Sequence, residues 1–244
     1  MRTGIISDIH ANWQAMQAAL ARLDSEGVDE IVCLGDVVGY GADPKLCVEE
    51  IMRRKIVTIR GNHERYVIGE IEDGLKADTE KAIEYTRAQL KNEHYTEIES
   101  WKNRLMHRNE FLMTHGSPRH KDEYVLSIDA VVGSLRALQQ EFPECRVAFH
   151  GHTHLTSLFA PGQVVKPIHE GIVAQLDFTK VYLLNPGSVG QPRDRCPLAS
   201  FMILDMEKKT AQYFREPYDV EGAQKRIREV GLAERFATRL QDGT

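Results

Sequence analysis

Short apolar runs alternate with amphipathic stretches over the first 65 residues of the chain. The runs "TGIIS", "EIVCLG" and "KIVTIRG" have the length and the β-branched content of buried strands. Between the first two runs, Trp13, Met16, Leu20 and Leu23 recur at a spacing near one helical turn and mark one face of a helix. Strands that alternate with helices in this way are typical of βαβ units, so this part of the chain predicts a largely parallel sheet.

The middle of the chain is polar, and its charged residues recur on most helical turns. From about residue 65 to 108 we predict a helical excursion that lies outside the central sheet. Beyond it, "NEFLMTH" and "CRVAFHG" predict two further strands, separated by a helix that Ser127 caps.

The C-terminal part of the chain has a different pattern. The short strands "VYLLN", "SFMILD" and "AQYFRE" follow one another, and the polar turn "MEKK" joins the last two into a predicted hairpin. A charged amphipathic stretch from 220 to 240 predicts one terminal helix. The whole pattern predicts a single domain over residues 1–244 of the α/β (α+β) class, with antiparallel strands added in its second half.

Composition and charge narrow the class of protein. The chain has 244 residues, of which 42% are hydrophobic and 27% charged, as is usual for a globular protein. The formal net charge of -5 argues against binding to nucleic acid or to an anionic membrane, because such surfaces need clustered Lys and Arg. The four cysteines form no C-x-x-C pair, and no run of about 18 apolar residues occurs. We therefore expect a cytoplasmic protein with free thiols.

Polar side chains follow each of five predicted strands, in "SDIH", "GD", "GNHE", "THGSP" and "GHTH". The carboxyl ends of strands are where open α/β sheets place their ligand sites. The candidate metal ligands in these blocks are Asp8, His10, Asp36, Asn62, His115, His152 and His154. Oxygen and imidazole donors without thiolates suit Mn, Fe, Zn, Co or Ni. One ion takes roughly four to six donors, whereas two ions that share a bridging carboxylate would use all seven.

The five blocks resemble those of the calcineurin-like binuclear metallophosphoesterases, and they occur in the order of that family. The blocks are D-x-H at Asp8 and His10, G-D ending at Asp36, G-N-H-E over 61–64, the strand-end His115, and G-H-x-H over 151–154. The later segment "NPGSVGQPRD" is similar to a site loop of small prokaryotic members of the phosphodiesterase type. The resemblance implies a four-layer sandwich of two mixed β-sheets flanked by helices, the metallo-dependent phosphatase fold.

The resemblance also implies a role for each residue of the blocks. The implied ligands are Asp8, His10 and His154 for one divalent transition metal ion, Asn62, His115 and His152 for the other, and Asp36 as the bridge. His63 would be the catalytic residue, which protonates the leaving oxygen or stabilises the transition state. A hydroxide that bridges the two metals would attack phosphorus.

One departure from the family concerns the segment "GDVVGYG" around Asp36. Protein phosphatases and symmetrical diadenosine tetraphosphate hydrolases carry an Arg a few residues after this Asp, and the protein phosphatases also carry an Asp just before that Arg. Gly39 and Tyr40 stand at these places in this chain. The partner that orients His63 is therefore open, and Glu64 and a backbone carbonyl are both candidates.

The substrate phosphate must then be bound by other residues. Arg60, Arg193 and Arg195 are candidates, because Arg contacts phosphate in a bidentate manner. Tyr40 either stacks on a nucleobase or fills its loop. We select Arg60, Tyr40 and Arg193 as the predicted substrate-binding residues.

Five further histidines lie outside the ligand and catalytic set. His150 precedes the G-H-x-H block, and we expect it to support the site from behind or to fill the core. We expect His94, His107, His120 and His169 on the surface or in loops.

The function that follows is hydrolysis of small phosphodiesters or nucleotide-like phosphates by a metal-dependent phosphoesterase. A phosphomonoesterase and a dinucleoside polyphosphate hydrolase are the alternatives within the class. From another class, the chain would be a catalytically silent protein-binding scaffold like the retromer subunit of the superfamily, which lacks the histidine found here as His63. A DNA nuclease of the superfamily usually adds a domain that grips DNA. We expect a small phosphorylated substrate as the partner and neither a membrane nor nucleic acid.

Overall fold

The computed structural model describes residues 1–165 and 171–244. Its strands are β1 (Arg2–Ile6), β2 (Glu30–Cys33), β3 (Val57–Thr58), β4 (Arg104–His107), β5 (Phe111–Thr114), β6 (Val147–Phe149), β7 (Ser157–Ala160), β8 (Gln163–Val165), β9 (Val173–Gln175), β10 (Tyr182–Asn185), β11 (Ala199–Asp205) and β12 (Thr210–Glu216). Its helices are α1 (Trp13–Ser25), α2 (Pro44–Arg54), α3 (Asn62–Val67), α4 (Ala77–Gln89), α5 (Asn92–Ser100), α6 (Ile128–Glu141), α7 (Val220–Glu229) and α8 (Glu234–Asp242).

The helix α1 illustrates how local sequence sets the elements. The side chain of Asn12 accepts a hydrogen bond from the Ala15 amide (3.1 Å) and so caps the start of the helix. Gly27, at φ +64°, follows its end. The predicted apolar face is confirmed, because Met16, Leu20 and Leu23 are all buried against the first sheet.

The strands form two mixed sheets of six strands each. The first sheet has the order β3-β2-β1-β11-β12-β9, and the second has the order β4-β5-β6-β10-β7-β8. The strands β1, β2 and β3 run parallel to one another, as predicted, and so do β5, β6 and β10. The predicted hairpin is confirmed, since β11 and β12 pair antiparallel over their whole length.

The two sheets pack face to face over a shared core. Ile5 and Met202 of the first sheet belong to the same buried cluster as Phe111, Phe149 and Leu184 of the second. A second apolar cluster lies under α1 and α2 on the outer face of the first sheet, and a third lies under α6 on the outer face of the second. These layers confirm the four-layer sandwich.

The helical excursion ends earlier than predicted. It contains α4 and α5, but residues 104–107 form the strand β4, which pairs antiparallel with β5. Arg108 and Asn109 close this hairpin with φ values of +48° and +59°. The turn contains no Gly, so its hairpin signal in the sequence is weak.

The terminal helix predicted over 220–240 is instead two helices. Gly231, at φ +75°, separates α7 from α8 and lets the chain turn back. The two helices pack through a small apolar cluster that includes Ile227, Phe236 and Leu240. The ring of Phe236 lies 5.0 Å from the ring of Tyr40, centroid to centroid, so α8 is placed next to the predicted site.

Two of the histidines expected at the surface are buried. The His94 ring lies 3.6 Å from a Glu49 carboxylate oxygen, and the His107 ring lies 2.8 Å from one of Glu30. The expectation was wrong for these two residues because each has a carboxylate partner on a distant segment. His120 is exposed as expected, and position 169 lies outside the described residues. In the described part of the chain, no helix combines the length and apolar character that crossing a bilayer requires.

Candidate metal centre

The predicted ligands meet at one rim of the sandwich. Asp8 follows β1 and Asp36 follows β2, which are neighbours in the first sheet, while His115 follows β5 and His152 follows β6, which are neighbours in the second. Both pairs of strands are parallel, so their carboxyl ends meet at the same edge. These four residues are each at least 95% buried.

The backbone at these positions is held in the left-handed region, which non-glycine residues rarely occupy. The φ values are +52° for Asp8, +49° for His10, +52° for Asp36, +63° for His152 and +58° for His154. Each such residue costs about 1 to 2 kcal/mol. Strain of this kind concentrates at functional sites, where the turn aims the side chain.

One group of donors consists of Asp8, His10 and His154. The Nε2 atom of His154 lies 3.3 Å from Asp8 Oδ1 and 3.1 Å from the Nε2 atom of His10. The hydroxyl of Ser7 donates to Asp8 Oδ2 at 2.6 Å and fixes the carboxylate. Donors bound about 2.1 Å from one ion lie about 3 Å apart, so this spacing fits a metal ion.

A second group of donors lies beside the first. His115 Nε2 is 3.3 Å from Asp36 Oδ2 and 3.2 Å from Asn62 Oδ1, and the rings of His115 and His152 are 4.9 Å apart. Donor atoms of Asp36, His115 and His152 lie within 4.8 Å of one another. Asp36 Oδ2 is also 3.6 Å from His10 Nε2, so this oxygen stands between the two groups.

Three of the imidazoles have a defined tautomer. In each, Nδ1 donates a hydrogen bond to a backbone carbonyl. His10 donates to Val38 (3.2 Å), His115 to Leu34 (2.8 Å) and His154 to Gln191 (2.5 Å). A neutral ring that donates from Nδ1 presents a lone pair at Nε2. The facing Nε2 atoms of His10 and His154 would then repel each other at 3.1 Å unless a cation lay between them. The chemistry of the donors therefore fits a metal.

Glu64, a candidate partner for His63 in the sequence, has a different role in the structure. Its carboxylate accepts hydrogen bonds from four backbone amides, those of Asp36 (2.8 Å), Val37 (2.7 Å), Val38 (3.2 Å) and Gly61 (2.7 Å). It thus holds the loop that carries Asp36 and does not orient His63. Gly61 is required there because a Cβ atom would lie 2.1 Å from Asp36 Oδ1.

His63 is buried beside the donors and is positioned by packing. Its amide donates to Asp36 Oδ1 at 2.9 Å, and its ring packs edge-on against Tyr40, at 4.3 Å between centroids. Among the described residues, no group accepts from or donates to its Nδ1 atom. Burial lowers the pKa of His63 to about 4, so the imidazole is neutral at pH 7.

The charges at the centre are strongly coupled. Burial raises the pKa of Asp8 to about 6, against the opposing effect of His115. Burial also acts against ionisation of Asp36, but the charges of His115 and His63 hold its pKa well below the usual range. Burial alone would lower the pKa of His115, whereas the carboxylates of Asp36 and Asp8 raise it to about 9.

Comparison with known proteins identifies the family of this chain. The family model of the calcineurin-like phosphoesterase superfamily domain matches residues 1–209. The chain belongs to this superfamily. It is a metallophosphoesterase, and the predicted family and fold are confirmed.

Relatives of this metallophosphoesterase match it over nearly their whole length. It is 34% identical to an uncharacterised protein of Methanocaldococcus jannaschii, over 97% of this chain and 96% of that protein. It is also 34% identical to a metallophosphoesterase from Sphaerobacter thermophilus, with a TM-score of 0.87 over 100% of this chain and 99% of the other. A hypothetical protein of Pyrococcus horikoshii shares the fold at 20% identity, with a TM-score of 0.80 over 100% and 98% of the two chains.

A cleft of about 400 Å³ opens beside the metal centre of this metallophosphoesterase. His63 and Asn62 line its inner end, and the predicted residues Tyr40 and Arg193 line it as well. Arg60 is not among the lining residues. Its guanidinium instead forms an ion pair with Glu70, so the structure does not place Arg60 at the cleft.

Several residues of the cleft were missed by sequence reasoning. The ring of Tyr124 lies 3.9 Å from the ring of His152, centroid to centroid. Lys76 comes from the segment before α4, and Arg235 and Arg239 come from α8. None of these residues belongs to a motif, and the only signal in the sequence was their aromatic or cationic character within polar stretches.

Proposed function

We propose that this metallophosphoesterase binds two divalent transition metal ions and hydrolyses small phosphodiesters or nucleotide-like phosphates. The observation that carries the proposal is the position of Asp36 Oδ2, 3.6 Å from His10 Nε2 in one donor group and 3.3 Å from His115 Nε2 in the other. A carboxylate between two donor groups is the arrangement of a bridged metal pair.

The two donor groups support a division of the ligands between two ions. Asp8, His10 and His154 would hold one, and Asn62, His115 and His152 would hold the other. Two divalent ions with two carboxylates leave a net positive charge, which favours a phosphate ligand. When bound, such ions stabilise charge on phosphoryl oxygens and lower the pKa of a coordinated water.

The side chains around the ions supply the remaining roles. The pKa of His63, about 4, keeps its ring neutral at pH 7, so His63 would stabilise the leaving oxygen by donating an N–H hydrogen bond to it. Arg193 lines the cleft and acts electrostatically on Asp8, His10 and His63, so it would also stabilise the charge of a bound phosphate.

The shape of the cleft favours a diester over a monoester. A diester carries an organic group on both sides of phosphorus, and a cleft of about 400 Å³ next to His63 has room for the second one. The rings of Tyr40, Tyr66, Tyr124 and Phe236 offer apolar contact to that group.

The test compares hydrolysis of bis-p-nitrophenyl phosphate and p-nitrophenyl phosphate after Mn is added to chelator-stripped protein. We expect metal-dependent turnover that is faster on the diester and that falls by about 100-fold to 10,000-fold in His63→Ala. His120→Ala is the matched control, because His120 is an exposed histidine outside the site. Absence of turnover with any divalent metal would contradict the proposal, and faster monoester cleavage would replace its substrate class.

A further inference from the structure

The charge of the cleft is opposite in sign to that of the protein as a whole. The chain has 36 acidic residues against 31 Lys and Arg. Among the described residues that line the cleft, four are cationic and none is acidic. The cationic residues are Lys76, Arg193, Arg235 and Arg239. Such a local excess of positive charge in an acidic protein indicates an anionic ligand.

Two of these cations are held close together. Arg193 Nη2 and Arg239 Nη1 both donate to the same atom, Gln191 Oε1, and each of the two bonds is 3.1 Å long. The two guanidinium groups therefore lie next to each other, joined through one neutral amide oxygen.

Neither guanidinium is paired with an Asp or Glu side chain within the described parts of the chain. Arg239 Nε donates to a main-chain oxygen of Thr244 (2.6 Å), and Arg193 Nε is buried without a hydrogen-bond partner among those residues. Arg235, by contrast, is paired with Asp78 at 2.9 Å. The adjacent charges of Arg193 and Arg239 repel each other, and a bound anion would relieve that repulsion. Burial is the main cause that lowers the pKa of Arg239. The charge of Arg193 lowers it further, which is the effect expected of this repulsion.

Arg193 adjoins the metal centre, whereas Arg239 comes from α8. The amide of Arg193 donates to the carbonyl of His154 at 3.3 Å, and its guanidinium acts electrostatically on Asp8 and His154. The groups that act on Arg239 are those of the cleft, namely Arg193, Tyr40 and Arg235. An anion between Arg193 and Arg239 would thus be next to a phosphate at the metals, but not at the same place.

We propose that Arg193 and Arg239, held by Gln191, form a second phosphate-binding subsite, so that the preferred substrates are phosphate esters with a further phosphate beside the one hydrolysed. Paired guanidinium groups match the oxygens of a phosphate. Gln191 and Arg193 lie within residues 1–209, which the family model matches, whereas Arg239 lies on α8 beyond them. The inference rests on the proposed function for the identity of the phosphate that is hydrolysed.

The test measures binding of thymidine 3′,5′-bisphosphate and thymidine 5′-monophosphate to the Mn-loaded protein by calorimetry, with release of inorganic phosphate followed in the same samples. The two ligands differ only in the second phosphate. We expect the bisphosphate to bind at least about tenfold more tightly, and this ratio to fall to about twofold in Arg239→Gln. Arg239→Lys, which keeps the charge, should recover part of the ratio.

Arg228→Gln is the matched control, because Arg228 lies on the neighbouring helix α7, outside the cleft, and is paired with Glu234 at 2.7 Å. It should keep the ratio of the wild-type protein. A ratio near one in the wild type, or a ratio that Arg239→Gln leaves unchanged in a protein of unaltered melting temperature, would overturn the subsite. If the ratio is as expected but bis-p-nitrophenyl phosphate is not hydrolysed, the subsite stands and the proposed function fails. If the diester is hydrolysed without any preference for the bisphosphate, the function stands and the subsite fails.

Discussion

The metal centre and the cleft beside it are built in different ways. At the centre, the turns after β1, β2 and β6 hold Asp8, Asp36 and His152 in left-handed conformations, and backbone carbonyls fix three imidazole rings. In the cleft, half-exposed side chains such as Tyr124 and Arg239 come from segments far apart in the chain. The backbone therefore holds the residues of the metal centre in place. We expect the side chains of the cleft, which lie on surface elements, to determine which substrate binds.

This difference predicts that changes at the centre abolish turnover, while changes in the cleft alter substrate preference. The largest effect is expected from Gly39→Ala. Gly39 has φ +83°, and a Cβ atom there would lie 2.0 Å from His63 Nδ1. The displaced ring should lower kcat by at least about 100-fold, measured on bis-p-nitrophenyl phosphate.

Gly27→Ala is the matched control for that change. Gly27 also has a positive φ, +64°, but among the described residues no atom lies within 4 Å of the added Cβ. It should lower the free energy of unfolding by about 1 kcal/mol and leave kcat unchanged. Similar rates in the two variants would show that His63 does not depend on its packing.

The next largest effect distinguishes Arg193 from Arg60, both of which the sequence predicted to bind the substrate. Arg193→Gln should lower kcat/KM for the diester about 30-fold, because Arg193 faces both the cleft and the centre. Arg60→Gln should change it less than about twofold, because Arg60 is paired with Glu70 outside the cleft. Equal losses of kcat/KM in the two variants would indicate that Arg60 also binds the substrate.

A smaller effect is expected from pH on metal affinity. In the metal-free protein the pKa of His115 is about 9, so at pH 7 to 8 this ligand carries a proton that the metal must displace. Affinity should therefore rise about tenfold per pH unit up to about pH 9 and then level off. Calorimetry in buffers of different ionisation enthalpy should show release of about one proton at pH 7.5. An affinity that is constant from pH 7 to 8.5 would contradict this account of His115.

The sequence predicted which residues come together at this rim, because they follow strands that local periodicity reveals. Asp8 and Asp36 come directly after apolar runs, and the carboxyl ends of parallel strands must meet at one edge. The cleft could not be predicted in this way. Arg239 reaches Gln191 only because Gly231 turns α8 back over Tyr40, and Tyr124 approaches His152 from a loop with no periodic pattern. Such contacts depend on the packing of distant segments.

The central claim is that Asp36 bridges two metal ions, and counting the ions tests it most directly. We would saturate wild type and Asp36→Asn with Mn, remove free metal, and measure bound Mn by elemental analysis together with the electron paramagnetic resonance spectrum. The account predicts two Mn per chain with the signature of an exchange-coupled pair in the wild type, and loss of both that coupling and turnover in Asp36→Asn. A wild-type protein that is fully active with one Mn per chain, and without coupling, would contradict it.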